Sequence, residues 1–128
     1  MSDFRESLDE LRSILDEGRH RQKDTKWQHK LIRSFEVTHE LALMTMNEYF
    51  RKMGRSNFTG SRDLTVEAFH EELIDDGKGW LDMIIDRIKF NPIYPEDFQQ
   101  QISAQIEKRY ILMMENFERK MMARLELS

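Results

Sequence analysis

Residues 25–50 read TKWQHKLIRSFEVTHELALMTMNEYF. Trp27, Leu31, Phe35, Thr38, Ala42, Thr45 and Tyr49 recur at steps of three and four, which sets them on one stripe of an α-helix. Thr25 and Gln28 form the T-x-x-Q of a capping box, so a helix is expected over about residues 26–53. Within it, LALMTM (41–46) is apolar on nearly every side. A helix without a polar face is buried on more than one side. This one therefore lies at the centre of a bundle or against another subunit.

The flanking sequence repeats the pattern. Phe4, Leu8, Leu11 and Leu15 follow 4-3-4 spacing and predict a first helix over about 3–19, with Asp3 and Glu6 at its start and Gly18 near its end. RSNFTG (55–60) reads as a loop. Ser61 is a plausible N-cap for a short third helix with Asp63 near its positive end and Leu64, Ala68 and Phe69 inward. LIDDGKGW (73–80) breaks it. Asp76 is placed to cap a fourth helix that runs to about Phe90, with Leu81, Ile84, Ile85 and Ile88 as its inner side. Asn91 precedes Pro92 and disfavours helix there. Pro95 suits the first position of a long fifth helix, about 95–125, with Glu96 and Asp97 near its positive end. Phe98, Ile102, Ile106, Tyr110, Met113, Phe117 and Met121 would face inward. The fold class is all-α: an up-and-down bundle of about five helices, three long and two short, as a single domain over residues 1–128.

Composition agrees. Of 128 residues, 39% are apolar and 34% charged, with two prolines and five glycines. Too few turn residues are present for a sandwich or barrel. No cysteine is present, which excludes disulfides and thiolate metal sites. The opening MSDFRESLDEL lacks the apolar core of a secretory signal, and no stretch approaches the roughly 20 apolar residues of a membrane span. A cytoplasmic protein with no membrane association is expected. The net charge of −4 gives no general attraction to nucleic acid. Residues 19–33 depart from this balance: Arg19, Arg21, Lys23, Lys26, Lys30 and Arg33 stand against one acid, Asp24. That run reads as a solvated edge or as a contact for phosphate or an acidic partner.

Few residues carry a recognisable chemistry. His20, His29, His39 and His70 show no metal-ligand spacing, and read as surface or boundary residues. No glycine-rich phosphate loop or nucleophile elbow occurs, so no metal or cofactor is implied. Glu36 and Glu40 share one helical face with Arg33 a turn earlier, either as a solvated ladder or as an acid–base pair. Met113, Met114, Met121 and Met122 crowd the last helix, as core filling or as a subunit surface. DRIKFNPIYPED (86–97) puts Asp86 and Arg87 at the end of an apolar helix. Arg87 there can serve the helix dipole or bind a phosphate in a cleft beside the turn.

Two separated stretches resemble one family. FEVTHELALMTMNEYF (35–50) is similar to the second-helix signature of the nucleotidyltransferase substrate-binding proteins, helical members of the HEPN superfamily. Phe35, Glu36, Thr38, Glu40, Leu41, Ala42 and Tyr49 carry the match. SRDLTVEAFHEELIDDGKGWLDMIIDR (61–87) resembles a second family motif in the right order and spacing. The resemblance implies a homodimeric bundle and a partner, a separately encoded minimal nucleotidyltransferase of the DNA polymerase β-like superfamily. Nucleotide and RNA are the implied ligands. Related HepT-like pairs act as toxin and antitoxin; there the helical protein is a ribonuclease with the motif R-x4-H-x-Y, silenced when AMP is added to the tyrosine.

In this chain the frame is Arg87, I-K-F-N, Pro92, Ile93, Tyr94. Proline replaces the histidine, and proline cannot donate or accept a proton. Ile88 replaces the polar residue that follows the motif arginine, and Ser34 replaces the arginine before Phe35. The implied site comprises Arg33, Glu36, Thr38, Glu40, Asp86, Arg87 and Asn91 as nucleotide or phosphate ligands. Arg87 and Glu36 are the candidate catalytic groups and Tyr94 the candidate modification site. The expectation is a binding protein without nuclease activity, with Arg87 and Tyr94 on one hollow that holds no imidazole.

Overall fold

The computed structural model describes residues 1–89 and 96–127. Every regular element among them is helical: α1 Ser2–His20, α2 Thr25–Lys52, α3 Ser61–His70, α4 Gly77–Lys89, α5 Glu96–Gln105 and α6 Ile111–Leu127. A π-helical turn, Ile106–Tyr110, joins α5 to α6 without a break. The all-α bundle expected from the sequence is the one observed. Phe90 and the Pro95 helix start lie outside the described residues. No helix among the described residues is long and apolar enough to cross a membrane.

α1 and α2 pack antiparallel. The Trp27 indole N–H donates to the Ile14 carbonyl oxygen at 2.9 Å, and further along α2 the Thr38 and Ser7 hydroxyls share a hydrogen bond of 2.6 Å. α2 also meets α3 and α5. It carries two buried stripes. One is that of Leu31, Phe35, Thr38, Ala42 and Thr45; the other runs through Ile32, His39, Leu43, Met46 and Phe50. Of LALMTM, Met44 alone is exposed, so α2 is buried on more than one side within a single chain. The core is continuous. Phe117 packs edge-on against both Phe4 and Trp80, at centroid distances of 5.3 and 5.5 Å, and Phe35 stacks on Tyr110 at 5.4 Å. Met113, Met114 and Met121 are buried in it.

The caps differ from the sequence expectation. Asp24 rather than Thr25 caps α2, its carboxylate accepting the Trp27 backbone N–H at 2.9 Å. A carboxylate one residue earlier reaches the third N–H of the helix and also meets the positive end of the dipole. Asp24→Ala is expected to cost about 1 kcal/mol, read as a lower urea midpoint with an unchanged slope; an unmoved midpoint would show the cap to be idle. Asp3 and Glu6 form no capping box, because α1 already begins at Ser2 with no side-chain cap. Gly60, not Ser61, precedes α3. Asp76 caps α4 as expected, accepting the Gly79 N–H at 2.9 Å.

α3 ends before the glycines of DDGKG. Glu72 takes a left-handed φ of 62°, the place glycine usually fills, and Leu73 N–H returns to the Ala68 carbonyl oxygen at 2.9 Å. The freed carbonyls of Glu71 and Glu72 accept from Arg124 at 2.6 Å and Lys120 at 3.2 Å. Those two α6 cations satisfy what the helix end leaves open.

The inner face of α4 is rotated from the expected one. Trp80 and Met83 are buried, Leu81 and Ile84 half-buried, while Ile85 is 48% and Ile88 72% exposed. An indole buries more apolar surface than an isoleucine, so Trp80 sets the orientation of this short helix. The last rod holds a feature no pattern announced. At about 100° per residue, the inward stripe from Phe98 to Met121 would drift roughly 140° around a regular helix. A π turn absorbs about one extra residue and brings Ile102, Ile106, Tyr110, Met113, Phe117 and Met121 onto one buried face.

Candidate functional site

α2 offers Glu36, His39, Glu40, Leu43, Met44 and Asn47 along one face, at helical steps of three and four. α4 faces them with Ile84, Arg87 and Ile88, and the start of α3 closes the end with Phe58, Gly60, Ser61 and Leu64. Together these line a cavity of about 580 Å³. The rotation of α4 brings Arg87 to this cleft: a helix turned to bury Trp80 and Met83 aims position 87 at α2.

One guanidinium nitrogen of Arg87 makes two contacts. Nη1 donates to Glu40 Oε2 at 2.9 Å and to His39 Nδ1 at 3.0 Å. Arginine has no acceptor and stays charged, so Nδ1 is the accepting nitrogen and the proton of the neutral ring sits on Nε2. His39 is 1% exposed. Its ring lies parallel to Phe35 and tilted to Trp80, each 6.0 Å away. Burial first, and the Arg87 charge second, lower its pKa to about 3. Among the described residues, Nε2 is buried without a hydrogen-bond partner. Glu36 stands beside Arg87 half-buried; burial raises its pKa, opposed by the charges of Arg87 and Arg33.

The hollow therefore holds an imidazole, which corrects the sequence expectation. Ordinary proton transfer does not follow from it. The lone pair of His39 is engaged by a cation, and its pKa keeps the ring neutral near pH 7. Its evident work is to fix the position of Arg87.

The other anticipated residues divide between several places. Glu36, Glu40 and Arg87 line one cavity. Thr38 does not join them: it is fully buried between α1 and α2, and its hydroxyl donates to the Ser34 carbonyl oxygen at 2.7 Å. The 100° step per residue sends Thr38 away from the face of Glu36 and Glu40. Asp86 sits on the far side of α4, accepting the Tyr110 hydroxyl at 2.5 Å. Arg33 is exposed and lines a separate groove between α1 and α2 with Lys26 and Lys30; its charge reaches Glu36, but its side chain does not line the Arg87 cleft. Asn91, Pro92 and Tyr94 fall outside the described residues.

His39 is the residue that sequence reasoning missed. A signal existed: Phe35, His39, Leu43, Met46 and Phe50 run at 4-4-3-4, an apolar stripe with one histidine in it. Its partner, Arg87, is 48 residues away, and no local pattern connects the two.

Comparison with curated proteins finds no match. A family model described as "Nucleotidyltransferase substrate binding protein like" matches residues 1–123, which include Arg87, His39 and both carboxylates of the cleft. The chain belongs to the nucleotidyltransferase substrate-binding protein family.

Proposed function

We propose that this protein is the helical partner of a separately encoded minimal nucleotidyltransferase, which it binds as a dimer, and that it does not cleave RNA. The observation that carries the reading is the state of the cleft. Arg87 is held between Glu40 and a neutral His39, an arrangement suited to binding and orienting a ligand. The imidazole has its lone pair engaged and its pKa lowered to about 3, and the motif position of the nuclease histidine is Pro92. Loss of one general acid or base commonly costs two to four orders of magnitude in rate.

Exposed apolar side chains at the rim, Met44 at 59% and Ile88 at 72%, support a surface that a protein partner covers. Co-expression with the nucleotidyltransferase encoded beside it is the test. Co-elution as one complex is expected; two separate peaks at micromolar concentration would remove the reading. Tyr94 is proposed as the acceptor of a nucleotidyl group in that complex, to be read as a mass increase that Tyr94→Phe abolishes.

One feature favours a second reading, a HepT-like ribonuclease neutralised at Tyr94. Glu36 is a half-buried carboxyl with a raised pKa beside Arg87, which is what a general acid or base requires. Purified protein and Arg87→Ala, incubated with total RNA, separate the two. No cleavage by either is expected; cleavage that disappears with Arg87 would establish the nuclease.

A further inference from the structure

We propose that Glu40 is a displaceable counter-ion occupying a phosphate site at Arg87, and that His39 is the positioning residue that keeps the guanidinium in place when Glu40 leaves. The ligand class is a phosphate monoester with an apolar or aromatic body. The inference rests on the reading of this cleft as a binding site and names what it takes.

The two partners of Arg87 differ in kind. Glu40 Oε2 and His39 Nδ1 meet the same nitrogen, Nη1, at 2.9 and 3.0 Å. The Glu40 side chain is 55% exposed and that of Arg87 27%, so their ion pair stands partly in water and is weakly held. His39 is closed in by Phe35 and Trp80 and cannot turn away without reopening the core. A phosphate oxygen arriving from the cleft competes with Glu40 for the guanidinium and leaves the bond to His39 intact. Phosphate carries more charge than a carboxylate and accepts a forked pair of hydrogen bonds, so the exchange is favourable.

Charge and shape point the same way. With His39 neutral, the cleft's ionisable groups among the described residues are Glu36, Glu40 and Arg87. With both carboxylates ionised they sum to −1, so an arriving anion meets no net attraction while Glu40 holds Arg87. Burial raises the pKa of Glu36, which eases its neutralisation when a second negative charge enters. Removal of the Glu40 charge leaves Arg87 without its ion-pair partner and brings the cleft from −1 to neutral. Beyond the guanidinium the wall is largely apolar, with Leu43, Phe58, Leu64 and Ile84 beside the polar Asn47 and Ser61. That wall suits the organic part of a monoester, and about 580 Å³ falls within the ordinary range for a small-molecule site.

Titration calorimetry of the full chain with phenyl phosphate and, separately, inorganic phosphate tests the proposal. Glu40→Gln keeps the shape and removes the charge. It is expected to bind phenyl phosphate about fivefold tighter than the native protein, the factor that loss of a competing ion pair of about 1 kcal/mol gives. Inorganic phosphate should bind more weakly than phenyl phosphate to both, and Arg87→Ala should bind neither. His39→Asn retains an acceptor where Nδ1 stood, whereas His39→Leu does not. Of two variants shown folded by circular dichroism, the first should keep the affinity and the second lose it. Equal or weaker binding by Glu40→Gln, or no binding by any form, would overturn the proposal. Co-elution with the nucleotidyltransferase in that event would leave the partner reading standing, and intact phosphate binding without co-elution would do the reverse.

Discussion

Ala42→Asp is expected to leave no cooperatively folded protein at room temperature. Ala42 is completely buried at the centre of α2, and the surrounding buried side chains are largely apolar. An unpaired buried carboxylate costs on the order of 3–5 kcal/mol, and the added atoms in a filled core cost about 1–3 kcal/mol more. The sum is comparable to the whole stability of a domain, about 5–15 kcal/mol. Because the position is closed off within one chain, the effect should be unfolding and not merely separation of subunits. Far-ultraviolet circular dichroism during heating decides it: a cooperative melt near the native temperature would show that α2 does not lie at the centre of the bundle.

Acid should weaken the fold through His39. In the folded protein its pKa is lowered to about 3, against about 6.5 in the unfolded chain. Between those values the unfolded state binds a proton that the folded state refuses. Stability is then fully present above about pH 6.5 and declines as pH falls, by about 1.4 kcal/mol per unit, or about 2 kcal/mol at pH 5. Glu36 acts in the opposite sense. Its raised pKa lets the folded protein take up a proton more readily than the unfolded chain, which offsets part of the loss. Urea unfolding at pH 7 and pH 5 measures the difference, and His39→Asn, which has no titrating ring, should lose most of it. An identical pH dependence in the two proteins would show that the imidazole titrates normally.

Several elements were legible because their signals are local. Three- and four-residue spacing identified α1, α2 and the last rod, and the Asp76 cap followed from a single carboxylate before an apolar run. The face of α4 is not legible in the sequence for a related reason. Leu81, Ile84, Ile85 and Ile88 make a good local stripe, but the indole of Trp80 is the larger group, and the packing of α4 against α2 and α6 decides which side turns inward. The π turn escaped because the stripe on either side of it looks regular over short windows. Its drift becomes visible only when the whole rod must bury one face.

The site divides along the same line. Sequence brought Glu36 and Glu40 onto one face, since both are on α2 within a single turn, and it singled out Arg87. Thr38 and Asp86 stand close to them in the sequence, but helical steps of about 100° per residue direct one into the α1–α2 seam and the other toward Tyr110. His39 went unnoticed, since what makes it matter is a cation on another helix.

The sequence by itself determined that this chain is an all-helical bundle, which family it resembles, and that the frame's histidine position holds proline. Periodicity, caps and residue identity are properties of neighbours along the chain. Only the tertiary structure decided that Arg87 meets His39 and Glu40 and that the imidazole is neutral. Hydrogen bonding between α2 and α4 and the exclusion of water from a ring depend on how helices distant in sequence are rotated against each other, and that rotation is settled by the packing of the whole core.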